Sequence, residues 1–360
     1  VNESVQYMAC GSFEAARRLA PGAVGAHGGG LHGHGFRARV RVAAPGGVLP
    51  WAPFAGAEID TLGERLRAAL APLDYQLLND HIDAPDDDTV ARWIQDRIDA
   101  PLLTQMGLRS APDRGVERDG RGLARAWRRF EFASAHRLPH VPDGHKCGRM
   151  HGHGFAVVLH VPAPQGPLLE AAWAPLQQRL HHACLNDIPG LENPTSEHIA
   201  AWIWARLHPQ LHGLSRVTVH ETATCGAHFD GATYRIWKDV GLDSAVRLRH
   251  APPGDARGRI HGHSYRLRLH LSAPLDAVLG WTIDFGDVKQ IFAPVFERLD
   301  HHPLHELPGV AETGALGIAR WARAQAGPAL PQLDRIDLQE SPGCGVRLSW
   351  GPSQAPRPAG

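Results

Sequence analysis

Along residues 151–161 the chain reads His-Gly-His-Gly-Phe-Ala-Val-Val-Leu-His-Val, a largely alternating pattern with the period of two of a half-buried strand. Residues 129–137 read as its extended partner, joined to it by a Pro/Gly/His-rich loop over 138–150. Helical spacing follows over 171–182, then a loop over 186–192. A second helix starts at Asn193-Pro-Thr-Ser-Glu197 and runs to about Leu207, with Thr195 or Asn193 as its cap and Glu197 in its first turn. Strands over 215–221 and 234–237 complete a β-β-α-α-β-β unit.

The order recurs on both sides. The first copy has a strand over 31–42 and helices over 61–73 and 88–98; the third has a strand over 260–272, helices over 287–299 and 314–326, and a strand over 334–340. The first copy shows no counterpart of the strand that carries Glu221. Each copy holds a His-Gly-His two residues before an aromatic, at His32/His34, His151/His153 and His261/His263, and the about 110 to 120 residues between them are one small domain. The fold class expected is α+β: homologous units over 1–112, 123–240 and 241–350, a Gly/Arg/Asp-rich linker at 110–122, a tight boundary near 239–242 and a disordered Pro-rich tail over 351–360.

Lys plus Arg equal Asp plus Glu at 37 each, which removes any global field for nucleic acid or an anionic membrane and favours a small-molecule partner. Five cysteines without a Cys-x-x-Cys pair argue against a disulfide framework and suit a reducing compartment. No apolar run reaches the ~20 residues of a membrane span, and the first twenty residues lack the apolar centre of a signal peptide, so a soluble cytoplasmic protein is expected.

Histidines one residue apart on a strand share a face, so His151 and His153 can hold one ion together. His136, on the preceding strand, would lie opposite them and complete a three-imidazole set. Such a set without a fourth protein ligand leaves an open position on zinc, as catalytic sites do. Counting back by the same interval from the other His-Gly-His pairs lands on Arg17 and Val246. His27 or His250 could substitute from the loops, but the simpler expectation is one complete zinc site per chain, with remnants of weak metal affinity in the outer units. Cys147, four residues before His151, is a candidate base or nucleophile whose thiolate a metal would favour. Gly28 and Arg257 hold its position in the other copies.

The stretches Phe130-Glu-Phe-Ala-Ser-Ala-His136, Lys146-Cys147-Gly-Arg-Met-His151-Gly-His153, Leu185-Asn-Asp-Ile-Pro-Gly-Leu-Glu-Asn-Pro-Thr-Ser-Glu197 and Val219-His-Glu221-Thr resemble 6-carboxytetrahydropterin synthase. That enzyme is the queuosine-pathway branch of the 6-pyruvoyltetrahydropterin synthase family. The third unit is similar through Gly280-Trp-Thr-Ile-Asp284-Phe285, Lys289 and Leu299-Asp300-His301-His302, and the first is a faint copy. The resemblance implies the tunnelling fold (T-fold), three units closing into a twelve-stranded antiparallel barrel with the helices outside, and two such rings stacking. Here the units of a trimer would be fused in one chain, giving a monomeric pseudo-trimer or a homodimer.

The resemblance further implies an active site between units. Zinc on His136, His151 and His153 with Cys147 would come from one unit, and an Asp-His relay from its neighbour. The relay position reads Asp74-Tyr75, His181-His182 and Asp300-His301 along the chain, so only the third unit keeps it. A glutamate would anchor the pterin by paired hydrogen bonds, and Glu221 and Glu340 are both candidates. The implied reaction converts 7,8-dihydroneopterin triphosphate to 6-carboxy-5,6,7,8-tetrahydropterin, acetaldehyde and triphosphate, with Lys146, Arg149 or Arg257 meeting the phosphates. The alternatives are 6-pyruvoyltetrahydropterin synthase activity on the same substrate, or a pterin- and zinc-binding scaffold without turnover.

Overall fold

A computed structural model of the chain describes residues 3–19 and 30–350; His27, Gly28 and the tail over 351–360 lie outside the described residues. The first repeat contains β1 (Ser4–Arg18), β2 (Leu31–Ala43), α1 (Glu58–Leu70), a short β3 (Gln76–Leu77), α2 (Asp87–Gln95), β4 (Leu103–Ala111) and β5 (Arg114–Asp119). The second contains β6 (Ala124–His136), β7 (His151–Pro162), α3 (Leu169–Leu180), α4 (Ser196–Leu207), β8 (Arg216–Thr222) and β9 (Cys225–Phe229). The third contains β10 (Tyr234–Val246), β11 (His261–Leu271), α5 (Phe285–Leu299), α6 (Ala315–Ala326), β12 (Leu333–Ser341) and β13 (Cys344–Ser349).

Three sequence expectations change. The expected linker at 110–122 is largely strand: β4 and β5 form a hairpin with Gln105 opposite Asp119 and Ala111 opposite Arg114. Its glycines and charges serve a turn and a half-exposed sheet face, which a composition scan cannot distinguish from a linker. The same hairpin supplies the first repeat's counterpart of the strand bearing Glu221. Residues 234–237, expected to close the middle repeat, instead begin β10, and that strand runs unbroken through 239–242. The middle repeat closes on the β8–β9 hairpin, with Thr222 opposite Cys225.

The described residues of Val1–Ala124, Asp239–Leu269 and Lys289–Ser353 form one compact unit, and those of Arg125–Lys238 and His270–Val288 another. In the first unit the strands run β11-β12-β13-β1-β2-β4-β5, and pairing of Ser4 with Ser349 through Met8 with Gly345 joins the first strand of the chain to the last. In the second unit the order is β6-β7-β8-β9-β10. Antiparallel pairing of chain neighbours and first-to-last closure are the features expected of the tunnelling-fold barrel, and the α+β class holds.

The helices bury one stripe each against one sheet face. In α3 the buried positions are Leu169, Trp173, Leu176 and Leu180, the three-to-four spacing of a single helical side, and α4 buries Ile199, Ala200, Trp202, Ile203 and Leu207 in the same core. They pack with Phe155, Val157, Leu159 and Val161 of β7 and with Val217 and Val219 of β8. Phe132 stacks on Phe155 across β6 and β7 with centroids 5.0 Å apart, and in the first repeat Phe13 stacks on Phe36 at 4.9 Å in the same cross-strand relation. Both pairs lie just inside the histidine-bearing ends of their strands, so core packing fixes the register of the histidines beyond them.

Phe155→Ala should therefore destabilise the chain by about 3–5 kcal/mol, the usual cost of emptying a buried aromatic site. Urea unfolding followed by fluorescence checks this, and a loss below about 1 kcal/mol would mean that the pair does not anchor the strands.

Candidate active site

The antiparallel register of β6 and β7 sets His136 opposite His151 and Ser134 opposite His153. Period-two alternation turns His151 and His153 to one face and leaves Gly152 on the other, where a Cβ would come within 3.3 Å of the Ser134 carbonyl oxygen. The three imidazoles thus converge, each offering a nitrogen within 4.8 Å of the others. Among the described residues no other group of His, Cys, Asp and Glu does so.

Second contacts settle the tautomers. His136 Nδ1 lies 3.1 Å from the Pro194 carbonyl and His151 Nδ1 2.7 Å from the Arg149 carbonyl, so each donates its Nδ1–H and keeps a lone pair on Nε2. His136 is 1% exposed, and its buried Nε2 has no hydrogen-bond partner. A buried, unpaired acceptor directed at two further imidazoles fits a divalent metal ion, because coordination would supply the missing partner. Burial holds both His136 and His153 below the ordinary imidazole pKa, favouring the neutral form that a metal requires.

Glu221 lies beside this set, with Oε1 3.6 Å from His153 Nε2 and Oε2 accepting from Ser196 Oγ at 2.5 Å. Behind it sits Glu197, which accepts from Thr282 N at 2.8 Å and Thr282 Oγ1 at 3.2 Å; burial pushes its carboxyl up to about 7. Thr195 caps α4 and donates its hydroxyl to the Gly280 carbonyl, while Asn193 donates to the Leu279 carbonyl. The segment before α5, from the third repeat, is thereby fixed to the N-terminal end of α4, in the same compact unit as the histidines. It brings Asp284 within 3.8 Å of His145 Nε2.

Cys147 occupies a single 3-10 turn, Lys146–Gly148, whose entry is capped by His145; its N–H donates to His145 Nδ1 at 3.2 Å and its carbonyl accepts from Leu138 N at 2.8 Å. Burial, then the negative charges of Glu221 and Asp284, push its thiol up. The sequence leads one to expect a metal-favoured thiolate; without the ion the protein's own charges act the other way. Lys146 and Arg149 are exposed.

The relay residues lie in the other compact unit. His301 Nδ1 is 2.8 Å from Asp300 Oδ2, and that bond, with the carboxylate's charge, raises the His301 pKa. Its backbone has φ 57°, and Tyr75 and His182 hold the corresponding places at φ 56° and 61°. In all three repeats the left-handed residue donates its N–H to the first strand, at Glu14, Ala133 or Asp243. The preceding side chain, Asp74, His181 or Asp300, accepts the N–H of that same strand residue. This double pin offsets the cost of a non-glycine positive φ.

The other predicted residues are elsewhere. Glu340 is in the first-described unit, its carboxyl pushed up to about 8 by burial and then by Asp60. Arg257 is ion-paired to Asp255 at 2.7 Å and Asp60 at 3.2 Å. His250 pairs with Glu312 at 3.0 Å and joins no histidine cluster among the described residues. Sequence reasoning gave no site role to Ser196, Asp284 or His145, and read Glu197 only as a first-turn acid. An acid at the second position of a helix ordinarily favours the helix dipole, and nothing local shows that it will be buried.

Residues 125–232 and 235–349 each match the family described as 6-pyruvoyl tetrahydropterin synthase, together more than half of the chain. The chain belongs to that family. A 6-carboxy-5,6,7,8-tetrahydropterin synthase from Synechocystis sp. is 40% identical over 118 residues, covering 29% of this chain and 90% of the relative. The 6-pyruvoyl tetrahydropterin synthase of Caenorhabditis elegans aligns in structure with a TM-score of 0.30 at 17% identity, over 33% of this chain and 95% of that one. The Plasmodium falciparum enzyme of the same name gives 0.27 at 17%, over 32% and 99%. The two matched segments are the second and third repeats, and the matched family has a pterin synthase as its namesake.

In the metal-free protein His136 and His153 should titrate below about 6.5 and His301 above it, the first two shifted by burial and the last by Asp300. Histidine ring proton shifts in an NMR pH series check the order. Asp300→Asn should return His301 toward the ordinary value, and an unchanged titration would remove the relay pairing.

Proposed function

We propose that the chain is a cytoplasmic, zinc-dependent 6-carboxy-5,6,7,8-tetrahydropterin synthase of the queuosine pathway. It takes 7,8-dihydroneopterin triphosphate to 6-carboxytetrahydropterin, acetaldehyde and triphosphate. The observation that carries the reading is the orphaned Nε2 of His136, facing His151 and His153 beside the carboxylate of Glu221. The 40% identity to the Synechocystis synthase supports the product choice. Five unpaired cysteines support a reducing compartment, and among the described residues no helix is long and apolar enough to cross a membrane.

His136, His151 and His153 would hold the zinc, which when bound supplies a Lewis acid for substrate oxygens. Glu221 presents a carboxylate that can accept two N–H bonds from the pterin's amino-pyrimidine edge, with Ser196 fixing its orientation. Glu340 is the second candidate anchor, in the third repeat. Cys147 is placed in a tight turn as the proton-moving group, and His301, oriented through Nδ1 by Asp300, leaves Nε2 to exchange a proton. The attachment of segment 279–284 of the third repeat to the end of α4, within the unit that holds the histidines, supports a site that draws on residues of both the second and third repeats. The oligomer read from this is a single closed chain or a pair of them, since closure within one chain removes the edge strands that drive association.

Metal analysis should give close to one equivalent per chain; His136→Ala should remove it and His261→Ala leave it. Three tight equivalents would contradict a single complete set. Cys147→Ala and His301→Ala should each lower turnover by about a hundredfold or more, and His182→Ala by little. An essential His182 with a dispensable His301 would reject the second-to-third pairing. Incubation with dihydroneopterin triphosphate should release acetaldehyde; a diketo pterin instead would assign 6-pyruvoyltetrahydropterin synthase activity, and binding without turnover would leave the scaffold reading.

A further inference from the structure

The first repeat has been rebuilt around opposite charge. In β1 and β2 the register sets Arg17 opposite His32, the relation of His136 to His151 in the middle repeat. Arg17 is 2% exposed and donates to the Pro85 carbonyl at 3.1 Å, the contact that His136 makes with Pro194. Its Nη1 also reaches Asp87 Oδ1 at 2.8 Å. The serine and the acid have changed places. In the middle repeat Ser196, at the start of a helix, donates to Glu221 on a strand; here Ser110, on β4, donates to Asp87 at the start of α2, at 2.5 Å. The pterin-anchoring carboxylate is gone from the strand, and a buried cation replaces the third imidazole.

Beside Arg17 lies a pocket of about 650 Å³ lined by Arg37, Arg109, Arg114, His32 and His34, with no carboxylate among its described lining residues. Arg37 and Arg109 are direct cross-strand partners in β2 and β4, a like-charge pairing that costs stability unless an anion sits between or beside the two ions. Their side chains donate to the carbonyls of Pro342 and Ala111, which leaves most of each guanidinium fork for a ligand. The buried Arg17 Nε has no hydrogen-bond partner among the described residues. Asp87 balances Arg17, and Asp113 lies 3.4 Å from Arg114, so the pocket keeps a net positive lining.

We propose that the first repeat binds a compact, multiply charged oxyanion of the phosphate class, at the place where the middle repeat gathers its histidines. Planar guanidinium forks pair bidentately with phosphate oxygens, and three of them around one concavity select for more than one negative charge. This stands apart from the proposed reaction, because none of these residues belongs to the middle site.

The test is calorimetric titration of the full-length chain with inorganic pyrophosphate at fixed ionic strength, with citrate as a carboxylate comparator. His136→Ala serves as the background, so that metal chelation does not contribute. Saturable pyrophosphate binding should weaken at least tenfold in Arg109→Gln/Arg114→Gln, both side chains reaching solvent, and should be unchanged in the charge-matched control Arg67→Gln/Arg179→Gln, two exposed arginines on α1 and α3. Metal content of the Arg109→Gln/Arg114→Gln chain, with His136 restored, should stay at its normal value, which separates this site from the metal set. Absence of saturable binding, an equal loss in the Arg67→Gln/Arg179→Gln control, or citrate binding as tightly as pyrophosphate would each overturn the proposal.

Discussion

Everything at the candidate site rests on one strand register. Antiparallel pairing of β6 with β7 puts His136 across from His151 and leaves His153 two residues along the same face. A slip by one residue would turn the His-Gly-His pair to the opposite face and separate it from His136. The stacked Phe132 and Phe155, buried under α3 and α4, hold that register from the core side. The His136 bond to the Pro194 carbonyl holds it from the helix side, so the metal set is a consequence of packing before any ion arrives.

The same frame has been given different chemistry in different repeats. In the first, an identical register delivers Arg17 where the middle repeat delivers His136, and the acid and serine exchange positions between strand and helix start. In the third, Val246 is buried near the end of β10, and Arg257 is neutralised by Asp255 and Asp60. The turn carrying Tyr75, His182 or His301 keeps its left-handed backbone and its two hydrogen bonds to the first strand throughout. Asp74, His181 and Asp300 therefore have a structural duty wherever they occur, and in the third repeat alone the acid also orients a histidine.

Much of this was legible in the sequence, for physical reasons that differ by residue. His151-Gly-His153 announced itself because alternation on a strand fixes relative direction without knowledge of the fold. His136 followed from spacing, and Thr195 from capping chemistry. The β4–β5 hairpin is hidden because its glycines and charges are those of a linker, and residues 234–237 read as the end of the middle repeat because β10 runs continuously across the boundary. Glu197, Asp284 and Ser196 were not legible as site residues, since their surroundings depend on how distant segments meet. Burial of a carboxylate is a tertiary fact.

The central claim is that one repeat alone assembles a three-histidine metal centre. Anomalous diffraction at the absorption edge of the bound metal, from crystals of the full chain, tests it most directly. The account predicts a single strong peak about 2.0–2.1 Å from one nitrogen of each of His136, His151 and His153. Comparable peaks at His32/His34 or His261/His263, or a metal held away from His136, would contradict it.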